Sequence, residues 1–511
     1  MYILIYASNK ERREQIRELC TQVFECGEGF IEFDIRKIEN NILVIDNDEV
    51  YNFVGTTLSN LNNTYLYEQS QIFSIIKDGK ILLALRKRYI IEKHWDAAKR
   101  INDVILNSDF LLKRAKPAGY PDYLQIETTS KCNAECIMCS HYYTRNRNSS
   151  YLSNDIIEKL SDTLPYLRVV ALNGMGEPFI NPYITSQIEE FVKFGAKITT
   201  NTNLSIINDN LLSLINNHFS SVQLSCDGAT KKTYELIRKK LSFDTFIKNL
   251  SLLREKCTNI NINFVTVIMR QNIRELHDIV ALAGRAGIKL VAFMNINSNI
   301  IINNEKDNMN NYPNVLHYYI FKARKVGECF GMEIIAPSYD VVPVMTELDR
   351  ELALMDSLPM SKSNEEIEQM FMTSEKLAPY VHKNVFSREE PKKSNVKCMG
   401  ICDWLLRRAY ISSQGDVCIC CVNHTFRCGN IKELGSFGNV WNSNYYESIR
   451  DIFYSGYLPD SCLGCGIIEG GSLKYLKIDI TREFYQEPEF IKTRRQMTQK
   501  ILCSPLKSED W

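Results

Sequence analysis

Three thiols stand within eight residues, Cys132, Cys136 and Cys139, spaced C-x3-C-x2-C in the run Lys131-Cys-Asn-Ala-Glu-Cys-Ile-Met-Cys139. Iron–sulfur clusters normally take four cysteines. Three with no fourth nearby suit a [4Fe–4S] cluster that leaves one iron open to a further ligand. A zinc site completed from elsewhere in the chain is the alternative, although zinc more often uses paired C-x2-C units. A second group lies far downstream: Cys402, then Gly415 and Cys420, then Cys462-Leu-Gly-Cys465. Four thiols from two separated segments make a complete ligand set for a second cluster, with structural zinc again the alternative.

Three further stretches carry residues able to do chemistry. Asn173-Gly174-Met175-Gly176-Glu177-Pro178 joins two glycines, which let backbone approach a ligand closely, to a carboxylate, Glu177, suited to an ammonium group. Thr199-Thr200-Asn201-Thr202-Asn203 offers small polar side chains suited to sugar hydroxyls. Ser225-Cys226-Asp227-Gly228 is followed by Thr230, a helix cap, and by Arg238, able to hold a carboxylate through two parallel hydrogen bonds. Taken singly, each reads as well as turn and capping chemistry. Cys226 and Cys421 are weak candidates for a thiol that donates a hydrogen atom. Cys398, Cys418 and Cys428 have the same two readings, donor or buried inert thiol.

The elements that must position these residues follow from periodicity. Strands are expected at Tyr123–Glu127, Val169–Asn173, Ala196–Thr200, Ser221–Ser225, Ile262–Met269 and Leu290–Asn295. Helices are expected between them, at Ser153–Leu164, Ile184–Phe194, Asp209–Asn217, Lys231–Lys239, Phe243–Cys257 and Asn272–Ala286. Alternating βα units predict a parallel sheet with right-handed crossovers, and six units fit a partial (β/α)6 TIM-like barrel better than a closed eightfold one. Active residues in such barrels gather at the C-terminal ends of the strands. The cysteine loop and the three polar stretches fall there.

Around this barrel, expected over 122–300, residues 1–115 read as a small α/β domain. Its strands are expected at Tyr2–Ala7, Phe30–Ile35, Asn41–Asp46 and Ile81–Leu85, with helices at Asn9–Phe24 and His94–Leu112. It has no G-x-G-x-x-G and no P-loop, so it is a structural or docking domain or, more sharply, a substrate or peptide recognition module. Residues 301–397 read as a connector with a helical insertion, including a helix at Asn311–Val326 and a strand at Met332–Pro337. Residues 398–470 form the second cysteine-rich domain and 471–511 a tail with helical stretches.

The composition is that of a globular protein: 511 residues, 45% hydrophobic and 24% charged. With 61 basic and 61 acidic residues the net charge is zero, which gives no electrostatic case for nucleic acid or an anionic membrane. No apolar run is long enough to span a bilayer, and the first residues lack a basic segment and a long apolar core, so no signal peptide is expected. The expected location is the cytoplasm. Seventeen cysteines in a reducing compartment read as metal ligands or reactive thiols rather than disulfides.

Together the stretches resemble the radical S-adenosylmethionine (SAM) enzymes. The resemblance rests on Cys132, Cys136 and Cys139, on Gly174-Met-Gly176-Glu177-Pro, on Thr200-Asn201, and on Leu224-Ser225-Cys-Asp227-Gly228 with Arg238, in that order over about 175 residues. It implies a [4Fe–4S] cluster whose open iron chelates the amino and carboxylate groups of SAM. It implies that the Gly174–Glu177 stretch meets the SAM amino group, that Ser225 and Arg238 hold its carboxylate, and that Asn201 and Thr202 lie near the ribose. An electron from a reducing donor such as flavodoxin or ferredoxin then cleaves SAM, and the 5′-deoxyadenosyl radical takes a hydrogen atom from substrate. Thr202 departs from the usual Thr-Asn-Gly. The second cysteine group is similar to the SPASM/twitch domain, through Trp404, Tyr410-Ile-Ser-Ser-Gln-Gly415, Gly429-Asn430-Ile, Val440-Trp441-Asn442 and Leu458-Pro459. No cysteine follows Cys465 until Cys503, which matches the twitch form, with one auxiliary [4Fe–4S] cluster on Cys402, Cys420, Cys462 and Cys465. The resemblance leaves open oxidation of a sugar-type alcohol, modification of a peptide, and epimerisation. The contrasting class is a non-catalytic electron carrier or zinc-stapled scaffold.

Overall fold

The computed structural model describes residues 2–6, 23–25, 30–34, 90–91, 93–111, 113–139, 150–296, 307–337, 344–358, 391–397, 402–421, 427–459 and 462. The chain divides into two compact units, 1–119 with 397–403 and 464–511, and 120–396 with 404–463.

In the first unit, strands β1 (Tyr2–Tyr6), β2 (Val23–Glu25) and β3 (Phe30–Asp34) form an antiparallel sheet in the order β1-β3-β2. Helix α1 (Trp95–Leu111) follows as the periodicity predicts. Val23 and Phe24, expected at the end of a helix, are extended instead and pair with β3. The rest of that helix and the strands expected at 41–46 and 81–85 lie outside the described residues.

The second unit is built on one sheet. Its strands are β4 (Tyr123–Ile126), β6 (Val169–Leu172), β7 (Lys197–Thr202), β8 (Phe219–Ser225), β10 (Asn261–Ile268), β11 (Leu290–Asn295) and β12 (Glu333–Ile335). Each pairs in parallel with the next in sequence, so the sheet winds in one direction, as a barrel wall does. The six expected strands are neighbours in the expected order. β12, from the stretch read as connector, adds a seventh. The two short strands left out of this list, β5 (Glu135–Cys136) and β9 (Arg238–Lys239), pair with each other at the C-terminal ends of the long ones.

Helices lie between the strands: α2 (Asn154–Glu158), α3 (Ile184–Val192), α4 (Asp209–His218), α5 (Lys231–Ile237), α6 (Phe243–Lys256), α7 (Leu276–Arg285), α8 (Pro313–Cys329) and α9 (Met345–Ser357). Strand alternation gives each strand a buried face: Ile198, Val222, Leu224, Ile262, Phe264, Val291 and Phe293 are almost wholly enclosed. Each such side chain contributes about 1.5–3 kcal/mol. Asn201, Gln223, Ser225, Val265 and Val267 alternate with them and are only half-buried. Ser153–Leu164, expected as one helix, breaks after Glu158. Pro165 then opens a short 3-10 turn at Leu164–Tyr166.

The same sheet continues beyond β4. After β13 (Lys393–Lys397) and a short helix α10 (Asp403–Arg407), strand β14 (Arg408–Ile411) lies parallel to β4, pairing Arg408 with Tyr123 and Ile411 with Ile126. β15 (Asp416–Cys418) and β16 (Arg427–Asn430) extend the sheet antiparallel, to ten strands among the described residues. The β14–β15 turn needs Gly415, which stands at φ +88° and whose N–H donates to Ser412 O at 2.9 Å. The chain then runs through α11 (Ile431–Leu434), α12 (Phe437–Trp441) and α13 (Asn444–Tyr454) to β17 (Tyr457–Pro459). Asn430, Ser436 and Ser443 cap these three helices in turn. Their core is the buried Arg450, stacked 4.1 Å from the Trp441 ring and 4.3 Å from Tyr446. Two cysteines of the second group, Cys420 and Cys462, are half-buried. Cys465 and Cys398 lie outside the described residues. No helix among the described residues is long and apolar enough to cross a membrane.

Candidate active site

The loop Lys131–Cys139 leaves the C-terminal end of β4, and each strand-end stretch is bonded to it. From β6, the Glu177 N–H donates to Lys131 O at 2.9 Å. From β7, Asn203 Nδ2 donates to Asn133 Oδ1 at 3.0 Å, and Asn133 Nδ2 donates onward to Ser205 at 2.8 Å. From β8, the segment after α5 pairs β9 with β5, setting Cys136 opposite Arg238, and Ile137 N–H donates to Ile237 O at 3.0 Å. Helix α5 therefore stops at Ile237 rather than at the expected Lys239, because Arg238 turns extended to meet the cysteine loop.

The expected site residues fall as follows. Cys136 is buried, and Cys132 and Cys139 are half-buried. Burial chiefly pushes the Cys136 thiol up to about 12 and Cys132 to about 11; Arg238 opposes the rise at Cys136 and the Ala134 N–H at Cys132, and neighbouring charge adds a smaller part of each. Ile137 and Met138, between the second and third cysteines, pack with Val267 on Ile237, Met269 and Ile296, an apolar wall beside the thiols.

Gly174 and Gly176 are tight for a reason inside the protein. A Cβ on Gly176 would stand 2.2 Å from Lys131 O and 2.3 Å from Thr129 O, so the turn rests directly on the cysteine loop. A Cβ on Gly174 would stand 2.5 Å from the Glu127 side chain. The Glu177 carboxylate is buried and accepts from the Thr202 hydroxyl at 2.6 Å, Asn203 N–H at 2.8 Å and Phe179 N–H at 3.4 Å. Its burial raises its pKa, and those donors oppose the rise. Asn201 and Thr202 point to opposite faces of β7, as neighbours on a strand must. Asn201 is half-buried, whereas Thr202 is enclosed with Glu177. Ser225 is half-buried at the end of β8.

Arg238 is buried, with Nη2 2.6 Å from Asp227 Oδ2 and Nη1 3.8 Å from Cys136 Sγ. Asp227 also accepts from Val267 N–H at 2.7 Å. A cation thus lies beside the cysteine loop, held by an anion that is itself anchored. Thr230 caps α5 as expected, accepting from Thr233 N–H at 3.2 Å. Cys226 is fully buried, its thiol donates to Gly228 O at 3.5 Å, and burial pushes it to about 12. Cys421 is half-buried near Tyr123 and Tyr410, whose hydroxyls are raised chiefly by burial, with a charge on Cys421 adding a smaller effect.

Sequence reasoning missed Glu127, the residue that follows β4. It is buried, and accepts from Met175 N–H at 2.8 Å, from the Tyr410 hydroxyl at 2.9 Å and from the Ser413 hydroxyl at 2.8 Å. A carboxylate at the end of a mostly buried strand was the available signal; two of its partners, Tyr410 and Ser413, lie 283 and 286 residues away and were not.

The donor set fits a cluster: three thiols on one loop, an apolar wall, and a guanidinium beside Cys136 to offset the anionic charge of a thiolate-bound cluster. Cys132, Cys136 and Cys139 would hold it. Among the described residues no three His, Cys, Asp or Glu side chains converge on a single ion-sized point. In the second group, Cys420 and Cys462 lie close enough to Cys428 for their charge to raise its thiol, behind the larger effect of burial.

Comparison with known proteins agrees with this arrangement. The radical SAM superfamily model matches residues 126–283, and the model of the SPASM iron–sulfur cluster-binding domain matches residues 402–466. The mycofactocin maturase MftC of Mycolicibacterium smegmatis is 30% identical over 178 residues, 33% of this chain and 43% of that protein. The tungsten-containing aldehyde ferredoxin oxidoreductase cofactor-modifying protein of Pyrococcus furiosus is 30% identical over 95 residues, 18% of this chain and 26% of that protein. A GTP 3′,8-cyclase of Clostridium perfringens is 26% identical over 181 residues, 33% of this chain and 54% of that protein. The chain therefore spans about half or less of the length of these relatives. Among solved structures, Streptococcus suis SuiB bound to S-adenosylmethionine is similar with a TM-score of 0.48 and 15% identity, over 76% of this chain and 84% of that one.

Proposed function

From a chain that carries a radical SAM domain followed by a SPASM domain, we propose an enzyme that cleaves SAM at the cluster of Cys132, Cys136 and Cys139 and modifies an unactivated carbon of a peptide. The observation that carries this reading is the convergence of three strand-end stretches on one cysteine loop, through Glu177, Asn203 and Arg238. When bound, the reduced cluster and SAM supply one-electron cleavage of a sulfonium and hydrogen-atom abstraction from substrate.

The chain's own residues orient and exclude. The Asn173–Glu177 turn, fixed on Lys131 O, presents backbone to the SAM amino group. Ser225 and Asn201, half-buried on β8 and β7, would meet its carboxylate and ribose. Arg238 lies too firmly on Asp227 to serve SAM alone, and its second role is to offset charge at Cys136. Ile137, Met138 and Met269 keep water from the thiols. The auxiliary cluster, on Cys402, Cys420, Cys462 and Cys465, accepts an electron or binds substrate. An outside reductant of the flavodoxin or ferredoxin kind supplies the first electron.

A peptide is favoured as substrate because a matched relative is named a maturase. A sugar-type alcohol is the second reading. The test is anaerobic incubation with deuterated candidate peptides: deuterium in 5′-deoxyadenosine supports the proposal, and 5′-deoxyadenosine without deuterium from any peptide refutes the substrate class.

A further inference from the structure

The Asn173–Glu177 turn is held by Gln125 and Glu127, and Glu127 is held in turn by the SPASM domain. On β4, Gln125 Nε2 donates to Asn173 O at 3.1 Å, and two residues on, Glu127 accepts the Met175 N–H at 2.8 Å. The missing side chain at Gly174 is what lets the Glu127 carboxylate reach that amide. The same carboxylate accepts the Tyr410 hydroxyl, the Ser413 hydroxyl and, at 3.3 Å, the Ser413 N–H. Tyr410 lies on β14 and Ser413 in the turn that Gly415 closes, both on the hairpin that extends the barrel sheet. Glu127 N–H in turn donates to Ile411 O at 2.8 Å, which fixes the register of the two segments. Ser413 also shares a 2.8 Å hydrogen bond with Ser150, whose carbonyl accepts Ser130 N–H at 3.0 Å, just before the cysteines.

We infer that Glu127 and Tyr410 are positioning residues through which the SPASM hairpin sets the backbone of the SAM-binding turn. The inference rests on the reading of that turn as the SAM amino-group site. A buried carboxylate facing four donors fixes all of them, because losing any partner leaves charge or a donor unmatched in a low-dielectric interior. The auxiliary domain is therefore a structural part of the first site, and its seating on β4 governs SAM affinity.

The experiment titrates SAM into the reduced, fully reconstituted protein and follows the SAM-dependent change in the electron paramagnetic resonance signal of the first cluster. Tyr410→Phe removes one donor to a charged acceptor and is expected to weaken SAM binding about tenfold, with iron content as in the unaltered protein and a melting temperature lower by a few degrees. Ser413→Ala acts in the same direction. Glu127→Gln, which offers one acceptor and a clashing amide to the same donors, weakens it further, and adding Tyr410→Phe to it has little additional effect. Tyr410→Phe and Ser413→Ala binding SAM within twofold of the unaltered protein would overturn the inference, as would strict additivity with Glu127→Gln. An unaltered protein whose signal ignores SAM would instead sink the functional reading and this inference with it.

Discussion

Gly176→Ala is the most informative single change in the molecule. Its new methyl would stand 2.2 Å from Lys131 O and 2.3 Å from Thr129 O, against roughly 3 Å for the closest real contacts. Both obstacles are backbone, so no rotamer change relieves them. The cysteine loop or the glycine turn must retreat by about 1 Å. Overpacking of this kind costs about 1–3 kcal/mol. The retreat also breaks the Glu177 N–H to Lys131 O hydrogen bond, for about 1 kcal/mol more. A total of about 2–4 kcal/mol shifts the equilibrium for the closed loop by about 30- to 700-fold. The assay is iron per chain after anaerobic reconstitution in a Cys462→Ala background, where the first cluster alone is expected to load. Gly176→Ala should fall well below half of the roughly four irons expected there. Gly456→Ala is the control: Gly456 stands at φ +82° with nothing within 4 Å, so an alanine there strains only its own backbone. Normal iron loading and an unchanged resonance signal in Gly176→Ala would refute the claim that the turn braces the loop.

Other outcomes follow from the same geometry. Gly174→Ala collides with Glu127 rather than with the loop, so it should weaken SAM binding while leaving iron loading near normal; equal loss of both in a titration would contradict this. Arg238→Met strands the buried Asp227 carboxylate and should cost about 3–5 kcal/mol in denaturant unfolding, much of it recovered in Arg238→Met/Asp227→Leu; a double variant as unstable as the sum of the singles would argue against a buried pair. Cys132 and Cys136 are pushed up to about 11 and 12, and ligation requires thiolates. Their protons must therefore leave on cluster binding, and reconstitution should improve steadily from pH 7 to pH 9; a flat profile would count against it. Cys462→Ala should keep SAM cleavage by the first cluster but abolish turnover of substrate, measured as 5′-deoxyadenosine against modified product.

The barrel was legible because each strand buries one face under helices, and that alternation is local. The cysteine loop and its companions were legible because spacing carries them. What escaped is what depends on distant partners. The strand expected at Met332–Pro337 appears as β12, but that it pairs beside β11, and that β14 pairs with β4 across 285 residues, no window of sequence can reveal. The glycines at 174 and 176, which the sequence pattern assigns to ligand approach, are also close to Glu127 and to the loop backbone. Arg238 was read as the end of a helix, and it turns out of α5 because Cys136 offers a strand partner. Glu127 looked like the last residue of a strand; its role appears only once Met175, Tyr410 and Ser413 surround it.

The central claim is that Cys132, Cys136 and Cys139 hold a cluster at which SAM is cleaved. It is tested most directly by counting metal in the anaerobically reconstituted protein and then adding dithionite and SAM. Iron with inorganic sulfide and the appearance of 5′-deoxyadenosine, both cluster loading at this loop and cleavage lost in the Cys132→Ala/Cys136→Ala/Cys139→Ala variant, is the predicted result. Zinc in place of iron, or 5′-deoxyadenosine formed equally by the triple variant, would contradict it.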